Sequence, residues 1–356
     1  MFKKTTAALG LTVILAACTG VQTSAPVGTN AEIQAEQLKQ RAISYTSYID
    51  TQTDLYRVSL PILSSNAEFC GQNVSPATGI SAWTINDVPT DYRAAVQSEY
   101  NLGQDLTVLS VVPGSPGAAA GIRSGDVLLS VNGQAIPRGA EANKVAQSYL
   151  NQNGYNKMQI SYGRAGTTRT TSLTPVVKCD YPVMLDNSAA INAYADGEKI
   201  VVSRGMTRFA ENDTELALVV AHELAHNTMN HIGKLKQNVM TGSLGGLVVD
   251  SLLGAAGVNT GGQFSQIGGA VGQQRYSVPF EQEADYVGMY YLARAGYPTS
   301  GVANFWRRMA AEGQASVDMR TTHPTSAERF IALERTEDEI AAKKRSGAPL
   351  VPNFTQ

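Results

Sequence analysis

The sequence predicts an α+β protein in which helical segments enclose a middle module of short strands. Apolar side chains recur at roughly helical spacing over residues 31–63, and a second run, residues 213–231, reads as a helix. Between them, residues 81–178 contain short alternating strands separated by glycine and proline. At 356 residues the chain is long enough for two domains and a substantial core.

The charge composition gives no indication of a nucleic-acid partner. Lysine and arginine total 28 against 30 aspartates and glutamates, so the formal net charge is -2. A protein that binds nucleic acid through phosphate contacts needs a surplus of basic groups.

Residues 1–17 are predicted to be an export signal, in which two lysines precede an apolar run too short to span a bilayer. The run ends in Leu-Ala-Ala-Cys, which resembles a bacterial lipoprotein signal with Cys18 as the lipidated residue. Thr19, in place of aspartate, resembles the residue that follows the cysteine in lipoproteins sorted to the outer membrane. Residues 18–30 are expected to be a tether. Acyl chains on Cys18 would anchor the protein facing the periplasm. The alternative is an ordinary cleaved signal with an incidental cysteine.

The strongest chemical signal is His222-Glu223-Leu224-Ala225-His226 in the predicted helix. Residues four apart share a helix face, so the two imidazoles can hold one metal ion. Zinc held by neutral ligands acidifies water, and Glu223 beside it can take the proton and pass it to a leaving amine. The motif indicates a zinc peptidase, although short motifs also occur by chance on buried helices.

A third protein ligand is required. The extended pattern that adds a glycine and a histidine is excluded, because Met229 and Ile232 occupy those positions. His231 is expected to point away from the metal on a continuous helix and to lie near the helix end.

A second helix offers carboxylates for that role. Glu281 and Asp285 are four residues apart and share a face, so one can bind zinc while the other hydrogen-bonds a ligating histidine. Glu283 is expected to point elsewhere as a solvated charge.

Several ordered pieces of the chain together resemble the HtpX-like family of zinc peptidases, which includes the CaaX prenyl proteases and soluble periplasmic relatives. These pieces are Asn192-Ala193-Tyr194-Ala195, residues 200–205, residues 215–231, residues 281–285, Thr322-His323-Pro324 and Arg329. The resemblance implies a mainly helical zincin (gluzincin) peptidase domain with a small edge sheet, over residues 180–347, followed by a tail at residues 348–356.

The resemblance also implies roles for individual residues. Glu281 becomes the third ligand of one zinc ion per chain, and Asp285 becomes the partner of a ligating histidine. Residues 192–195 would bind substrate as an added strand. His323 and Arg329 would face the cleft and stabilise the oxyanion. Two alternatives stay open for His323: a fourth ligand that shuts the site, or no role.

Residues 31–80 are expected to form a helical segment that packs, by resemblance, on the peptidase domain, with Pro61 ending or interrupting the helix. Cys70 and Cys179 flank the strand module, and two thiols in an exported protein favour a disulfide. For a loop of this length the chain-entropy model gives about 4 to 5 kcal/mol.

Residues 106–134 resemble a bacterial PDZ domain, a small β-barrel or sandwich expected over residues 81–178. Residues 116–121 would be its short helix. Asn101, Leu102 and Gly103 occupy the place of its carboxylate-binding loop, although they depart from the usual Gly-Leu-Gly-Phe form. The domain is expected to recruit or gate substrate, with a purely structural brace as the alternative.

The glycine-rich residues 240–272 allow three readings: a flap over the cleft, a surface that touches lipid, or a buried helical hairpin. Their apolar runs are shorter than a membrane span requires.

The sequence thus predicts a zinc endopeptidase that is lipid-anchored at the outer membrane, faces the periplasm and acts on exported or outer-membrane proteins. The alternative is a periplasmic chaperone or assembly factor with latent proteolysis. Substrate identity and oligomeric state stay open.

Overall fold

The computed structural model describes residues 25–255, 263–315 and 327–354. Its helices are α1 (Asn30–Ser65), α2 (Thr90–Tyr100), α3 (Pro116–Ala119), α4 (Ala142–Asn153), α5 (Arg204–Phe209), α6 (Asp213–Thr228), α7 (His231–Ala255), α8 (Gln263–Arg294), α9 (Ala303–Ala315) and α10 (Ala327–Ser346). The predicted signal, Cys18 and His323 lie outside the described residues.

The described strands fall into three sheets, and the α+β prediction is confirmed. They are β1 (Val74–Ala77), β2 (Ile80–Trp83), β3 (Thr107–Val111), β4 (Val127–Val131), β5 (Gln134–Ala135), β6 (Met158–Arg164), β7 (Thr167–Leu173), β8 (Val176–Cys179), β9 (Val183–Asp186), β10 (Ala193–Ala195) and β11 (Ile200–Ser203). One sheet has the order β2-β3-β4-β6-β7, with β5 beside β4; a second has the order β10-β11-β9; the third pairs β1 with β8.

Helix α1 continues through Pro61 to Ser65, so the prediction that this proline ends or interrupts the helix is wrong. Val58 and Ile62, on either side of the proline, are fully buried in a core that they share with α6 and α8; residues 180–347 together with this part of α1 are called the peptidase region below. Their burial stabilises the helix enough to offset the backbone hydrogen bond that proline cannot make. The first turns of α1 do not share this packing, because Ile33 and Ile43 are exposed.

Helix α6 is buried along almost its whole length from Leu216 to Asn227. The Asn212 side chain caps its first turn by accepting from the Glu215 backbone N–H at 3.1 Å. The Glu215 carboxylate then accepts two hydrogen bonds from the Arg308 guanidinium on α9, at 2.9 and 2.7 Å. These contacts fix where α6 begins and tie it to the neighbouring helix.

Helix α6 ends at Thr228, three residues before the predicted end at residue 231. Asn230 takes a left-handed backbone conformation with φ of 54°. Asparagine tolerates this conformation better than most residues and commonly stops helices. The chain therefore turns, and His231 begins α7.

Strands β1 and β8 close the neck of the strand module. Val74 lies opposite Cys179 in their antiparallel register. The structure joins Cys70 to Cys179 by a disulfide across 109 residues of sequence. Both cysteines are buried in the core of the peptidase region, so the bond anchors the module there.

The strand module has its own apolar core, in which Val108, Ile122 and Ile160 are buried. The predicted short helix over residues 116–121 is α3, capped by the Ser115 hydroxyl. Asp126 lies at the start of β4 and accepts hydrogen bonds from Arg164 on β6, at 2.6 and 2.7 Å.

The predicted carboxylate-binding loop, Asn101, Leu102 and Gly103, is not beside the groove of this module, so that prediction is wrong. Leu102 is buried among the residues around α2, and the Gly103 carbonyl accepts from the Ile85 N–H at 2.8 Å. This contact lies beyond the Trp83 end of β2. The groove runs between β2 and α4, and the glycine at its other end is Gly79, with φ of 76°.

Residues 240–255 of the glycine-rich segment belong to α7 and residues 263–272 belong to α8, and these two long helices pack against each other. Met240 and Leu247 on α7 are exposed, at 60% and 52%. None of the described helices is both long enough and apolar enough to cross a membrane. Residues 256–262 of the segment lie outside the described residues, and the flap and lipid-contact readings stay predictions.

Candidate metal centre

Helices α6 and α8 bring three metal-binding side chains together at one buried point. The Nε2 atoms of His222 and His226 are 3.1 Å apart. The Glu281 carboxylate lies 3.4 Å from Nε2 of His222 and 3.3 Å from Nε2 of His226. Within the described residues these three form the one group of histidine, cysteine and acidic side chains with metal-binding geometry.

The two helices meet closely because α8 carries a glycine opposite the motif. A Cβ atom on Gly288 would lie 3.1 Å from the backbone N and Cα of His222. A Cβ atom there would require the neighbouring backbone to move by a few tenths of an ångström, which would disturb the approach of the Glu281 carboxylate to the two imidazoles.

Asp285 holds the first histidine from behind. Its Oδ1 atom lies 3.1 Å from Nδ1 of His222, which leaves the Nε2 atom of that ring directed towards Glu281. Arg329 donates two hydrogen bonds to Asp285, at 2.6 and 2.9 Å, and lies 3.2 Å from Glu281. This arrangement orients a ligand and its partner together.

Arg329 is therefore placed differently from the sequence prediction. Its side chain is 1% exposed and is engaged with Asp285 and Glu281. In this position the guanidinium contacts the carboxylates around the candidate metal ligands, and its predicted role at the oxyanion stays a prediction. His323, the other residue predicted to stabilise the oxyanion, lies outside the described residues.

A second hydrogen-bonded pair lies behind His226. The Nδ1 atoms of His231 and His226 are 2.9 Å apart, and Nε2 of His231 lies 2.7 Å from Glu283. The sequence predicts His231 at a helix end, pointing away from the metal, and Glu283 as a solvated charge. Helix α6 stops before Asn230, however, and after the left-handed turn there the His231 ring contacts His226.

Burial and charge set the protonation of this cluster. Burial lowers the pKa of His226, and it lowers the pKa of His231 to about 4. For His222 burial also acts downward, but hydrogen bonds to Asp285 and Glu281 outweigh it and raise the pKa. For Asp285 burial acts upward, yet the Arg329 and His222 hydrogen bonds hold its pKa below the ordinary value.

Glu223 and strand β10 line one small cavity. Glu223 is 1% exposed and follows His222 on α6, and the cavity also touches Asn192, Ala193 and Trp306. Strand β10 is at one end of the three-stranded sheet, with Ala193 and Ala195 buried and Tyr194 exposed. The structure thus brings the predicted substrate strand next to the predicted general base.

A second, larger cleft of about 700 Å³ lies between the strand module and the peptidase region. Strand β2 and helix α4 form one side, and β9 with α1 forms the other. Asn143 on α4 donates a hydrogen bond to the Ala82 carbonyl on β2 at 3.3 Å. The groove of the strand module therefore opens towards the peptidase region.

Two family models match the chain in the regions just described. Residues 175–337 match peptidase family M48, and residues 107–153 match the PDZ domain. The first match covers α6, α8 and the three candidate ligands. The second covers β3 to α4.

Similar curated proteins include the beta-barrel assembly-enhancing protease of Escherichia coli (strain K12). It is 26% identical over 205 residues, which cover 50% of this chain and 41% of that protein. The mitochondrial metalloendopeptidase OMA1 of Saccharomyces cerevisiae is 29% identical over 172 residues, covering 46% and 48%. The chain thus spans less than half the length of these relatives.

Among solved structures, the PDZ domain of HtrA3 bound to a phage-derived ligand covers 29% of this chain and 88% of its own, at 20% identity and a TM-score of 0.23. The family matches, together with the His222, His226 and Glu281 cluster, lead to one conclusion. The chain carries a domain of peptidase family M48, preceded by a PDZ domain.

Proposed function

We propose that this protein is a zinc-dependent endopeptidase that cleaves exported proteins of the bacterial envelope. The observation that carries the proposal is the buried cluster of His222, His226 and Glu281, with Glu223 on the same helix. Two imidazoles and one carboxylate are the donor set of catalytic zinc sites that keep one position for water or substrate. The three donor atoms lie within 4.8 Å of one another, which suits a single ion.

The residues of the chain divide the work of peptide hydrolysis. A bound zinc ion supplies a Lewis acid that acidifies water and polarises the scissile carbonyl. Glu223 accepts a proton from the attacking water as the water oxygen bonds to the carbonyl carbon. The same carboxylate then gives that proton to the leaving nitrogen as the C–N bond breaks.

Strand β10 suits a substrate bound in extended form. Asn192 and Ala193 line a cavity together with Glu223, and Tyr194 and Ala195 continue the strand at one end of its sheet. A polypeptide that adds to this strand gains backbone hydrogen bonds independent of its sequence, and its side chains alternate between the sheet faces. The site therefore suits unfolded or extended segments better than compact domains.

Asp285 and Arg329 hold the metal ligands, and His323 is a candidate for stabilising the oxyanion or for closing the site. The candidacy of His323 rests on the resemblance of Thr322-His323-Pro324 to the family. Substituting His323 by alanine should lower turnover if it stabilises the oxyanion, and raise turnover if it closes the site. Unchanged turnover and zinc affinity would exclude both roles.

The groove between β2 and α4 is our candidate site for recruiting substrate. Strand β2 ends its sheet within the described residues, and the groove floor is apolar where Ile80 and Leu150 meet. An extended segment can add to β2 if it displaces the Asn143 side chain from the Ala82 carbonyl.

The proposed location is the outer membrane, where a lipid anchor on Cys18 would hold the protein facing the periplasm. Support comes from the lipoprotein-like residues 15–18 and from relatives named beta-barrel assembly-enhancing proteases. Radiolabelled palmitate should enter the wild-type chain and not a Cys18→Ser variant. Equal labelling of the two would rule out the anchor.

The activity is tested with unfolded casein and the soluble form lacking residues 1–18. Cleavage should stop when a zinc chelator is added and return with one equivalent of zinc per chain. Cleavage that persists without metal would contradict the proposal. The rival role, a chaperone with latent proteolysis, is less favoured because the complete ligand set and Glu223 are present together.

A further inference from the structure

The metal centre is supported unequally on its two sides. Behind His222 lies a carboxylate in direct contact, Asp285, at 3.1 Å. Behind His226 lies a second histidine, His231, at 2.9 Å, and only then a carboxylate, Glu283, at 2.7 Å. The two supports need separate explanation, because a carboxylate and an imidazole impose different hydrogen-bond directions on a ring.

The hydrogen-bond directions on the His226 side follow from Glu283, the last side chain in the row His226, His231 and Glu283. A carboxylate can only accept, so Nε2 of His231 donates to Glu283. A neutral imidazole carries one N–H, so Nδ1 of His231 then accepts, and Nδ1 of His226 must donate to it. The lone pair of His226 is left on Nε2, the atom 3.3 Å from Glu281.

We propose that His231 and Glu283 are positioning residues that hold His226 in the ring orientation and tautomer that metal binding requires. This inference rests on the proposed metal centre. It adds two residues on which that centre depends, although neither contacts the metal-binding point. Such outer partners typically change metal affinity by about 10- to 100-fold when they are removed.

Local structure prepares His231 for this role. Asn230 turns the chain back after α6, which directs the ring towards His226. Phe280 stacks on the His231 ring, with centroids 4.7 Å apart and planes inclined by 14°. The His231 side chain is 2% exposed, and no solvent competes for its nitrogens, whereas Glu283 is 42% exposed.

One short stretch of α8 therefore serves the whole centre. Glu281 reaches the metal-binding point, Asp285 supports His222, and Glu283 supports His226 through His231.

The first experiment measures zinc affinity in the full chain by competition with a chromophoric chelator. The His231→Phe variant keeps a ring for stacking on Phe280 but loses both nitrogens. Its zinc affinity should fall about 10- to 100-fold. His231→Asn keeps an acceptor facing His226, and its affinity should recover most of that loss. The visible spectrum of the cobalt-substituted protein should shift in His231→Phe and less in His231→Asn.

Glu283→Ala provides an independent variant, because its partly exposed side chain can be removed with little risk to folding. Its zinc affinity should fall by at least about threefold, less than for His231→Phe, since water can replace the carboxylate. Glu312→Ala removes an exposed carboxylate on α9 and should leave zinc affinity unchanged. If circular dichroism shows that His231→Phe does not fold, the zinc affinity of Glu283→Ala tests the inference in its place.

The outcomes separate this inference from the proposed function. If the wild type binds one zinc and cleaves casein, while His231→Phe or, failing that, Glu283→Ala binds zinc as tightly as the wild type, the inference is wrong and the enzyme stands. If only the melting temperature of His231→Phe falls, the role of His231 is packing and the inference is again wrong. A wild type that binds no zinc would overturn both proposals.

Discussion

Two buried aspartate–arginine pairs stabilise the two regions of this molecule, and they do so for different ends. In the PDZ region Asp126 is 1% exposed and is paired with Arg164, whose side chain is 24% exposed. In the peptidase region Asp285 is 2% exposed and Arg329 is 1% exposed. The first pair fixes a turn between strands, whereas the second fixes a candidate metal ligand.

The difference lies in what else each carboxylate contacts. Asp126 accepts a further hydrogen bond from the Arg123 backbone N–H at 2.8 Å, within its own turn. Asp285 contacts His222, and its arginine also contacts Glu281. A similar ion pair therefore serves local folding in one region and contacts two candidate metal ligands in the other. The chain has two tryptophans, Trp83 in the PDZ region and Trp306 beside Arg329, so fluorescence can follow each region separately.

The largest effect should come from the bond that links the two regions. Replacing both Cys70 and Cys179 by alanine should lower the free energy of unfolding by up to about 4 to 5 kcal/mol, because the open chain gains entropy. Urea unfolding followed at Trp306 measures the loss. An unchanged midpoint, or two free thiols in the native wild type, would contradict the account.

Arg329→Met tests the peptidase pair, and Arg164→Met is its matched control. Removing Arg329 leaves Asp285 buried without its main partner, which should cost about 3 to 5 kcal/mol and abolish tight zinc binding. Removing Arg164 should cost less, since water reaches that site more easily. Single-tryptophan variants report the two unfolding transitions, and equal losses would refute the distinction.

Gly288→Ala tests the close approach of α8 to α6. The new Cβ would meet the His222 backbone at 3.1 Å, so we expect a loss of about 1 to 3 kcal/mol and weaker zinc binding. Gly163→Ala in β6 is the control, because its Cβ would lie at an ordinary 3.9 Å from Val127. Chemical unfolding compares the two, and a harmless Gly288→Ala would show that the helices can separate freely.

The smallest effect concerns acid stability of the PDZ region. Burial tends to raise the pKa of Asp126, but the Arg164 and Arg123 hydrogen bonds outweigh it and lower that pKa. The stabilisation is therefore complete above the unfolded pKa of about 3.9 and is lost as pH falls through the lower folded value. The melting temperature, followed by Trp83 fluorescence, should decrease as the pH is lowered below 4. In the Asp126→Asn variant this decrease should be smaller. A variant as acid-sensitive as the wild type would exclude Asp126 as the cause.

The sequence was informative wherever chemistry follows local spacing. The four-residue intervals in His222 to His226 and in Glu281 to Asp285 placed each pair on one helix face, and family resemblance brought the helices together. The short helix α3 was predicted from the resemblance of residues 106–134 to a PDZ domain.

The sequence failed where one residue redirected the chain or where distant packing decided the outcome. The left-handed backbone of Asn230 turns His231 towards the candidate metal ligand His226, and no local sequence pattern predicted this turn. Burial around Pro61 kept α1 continuous. Helix α2 separated residues 101–103 from the groove that they were expected to serve.

The most direct test of the central claim compares wild type with Glu223→Gln in the soluble form lacking residues 1–18. We expect both proteins to bind one zinc ion per chain with similar affinity, because the proposed ligands are His222, His226 and Glu281. We also expect the variant to lose casein cleavage by at least about 100-fold, because its glutamine amide cannot take the proton from the attacking water. Cleavage by the variant at the wild-type rate would contradict the account.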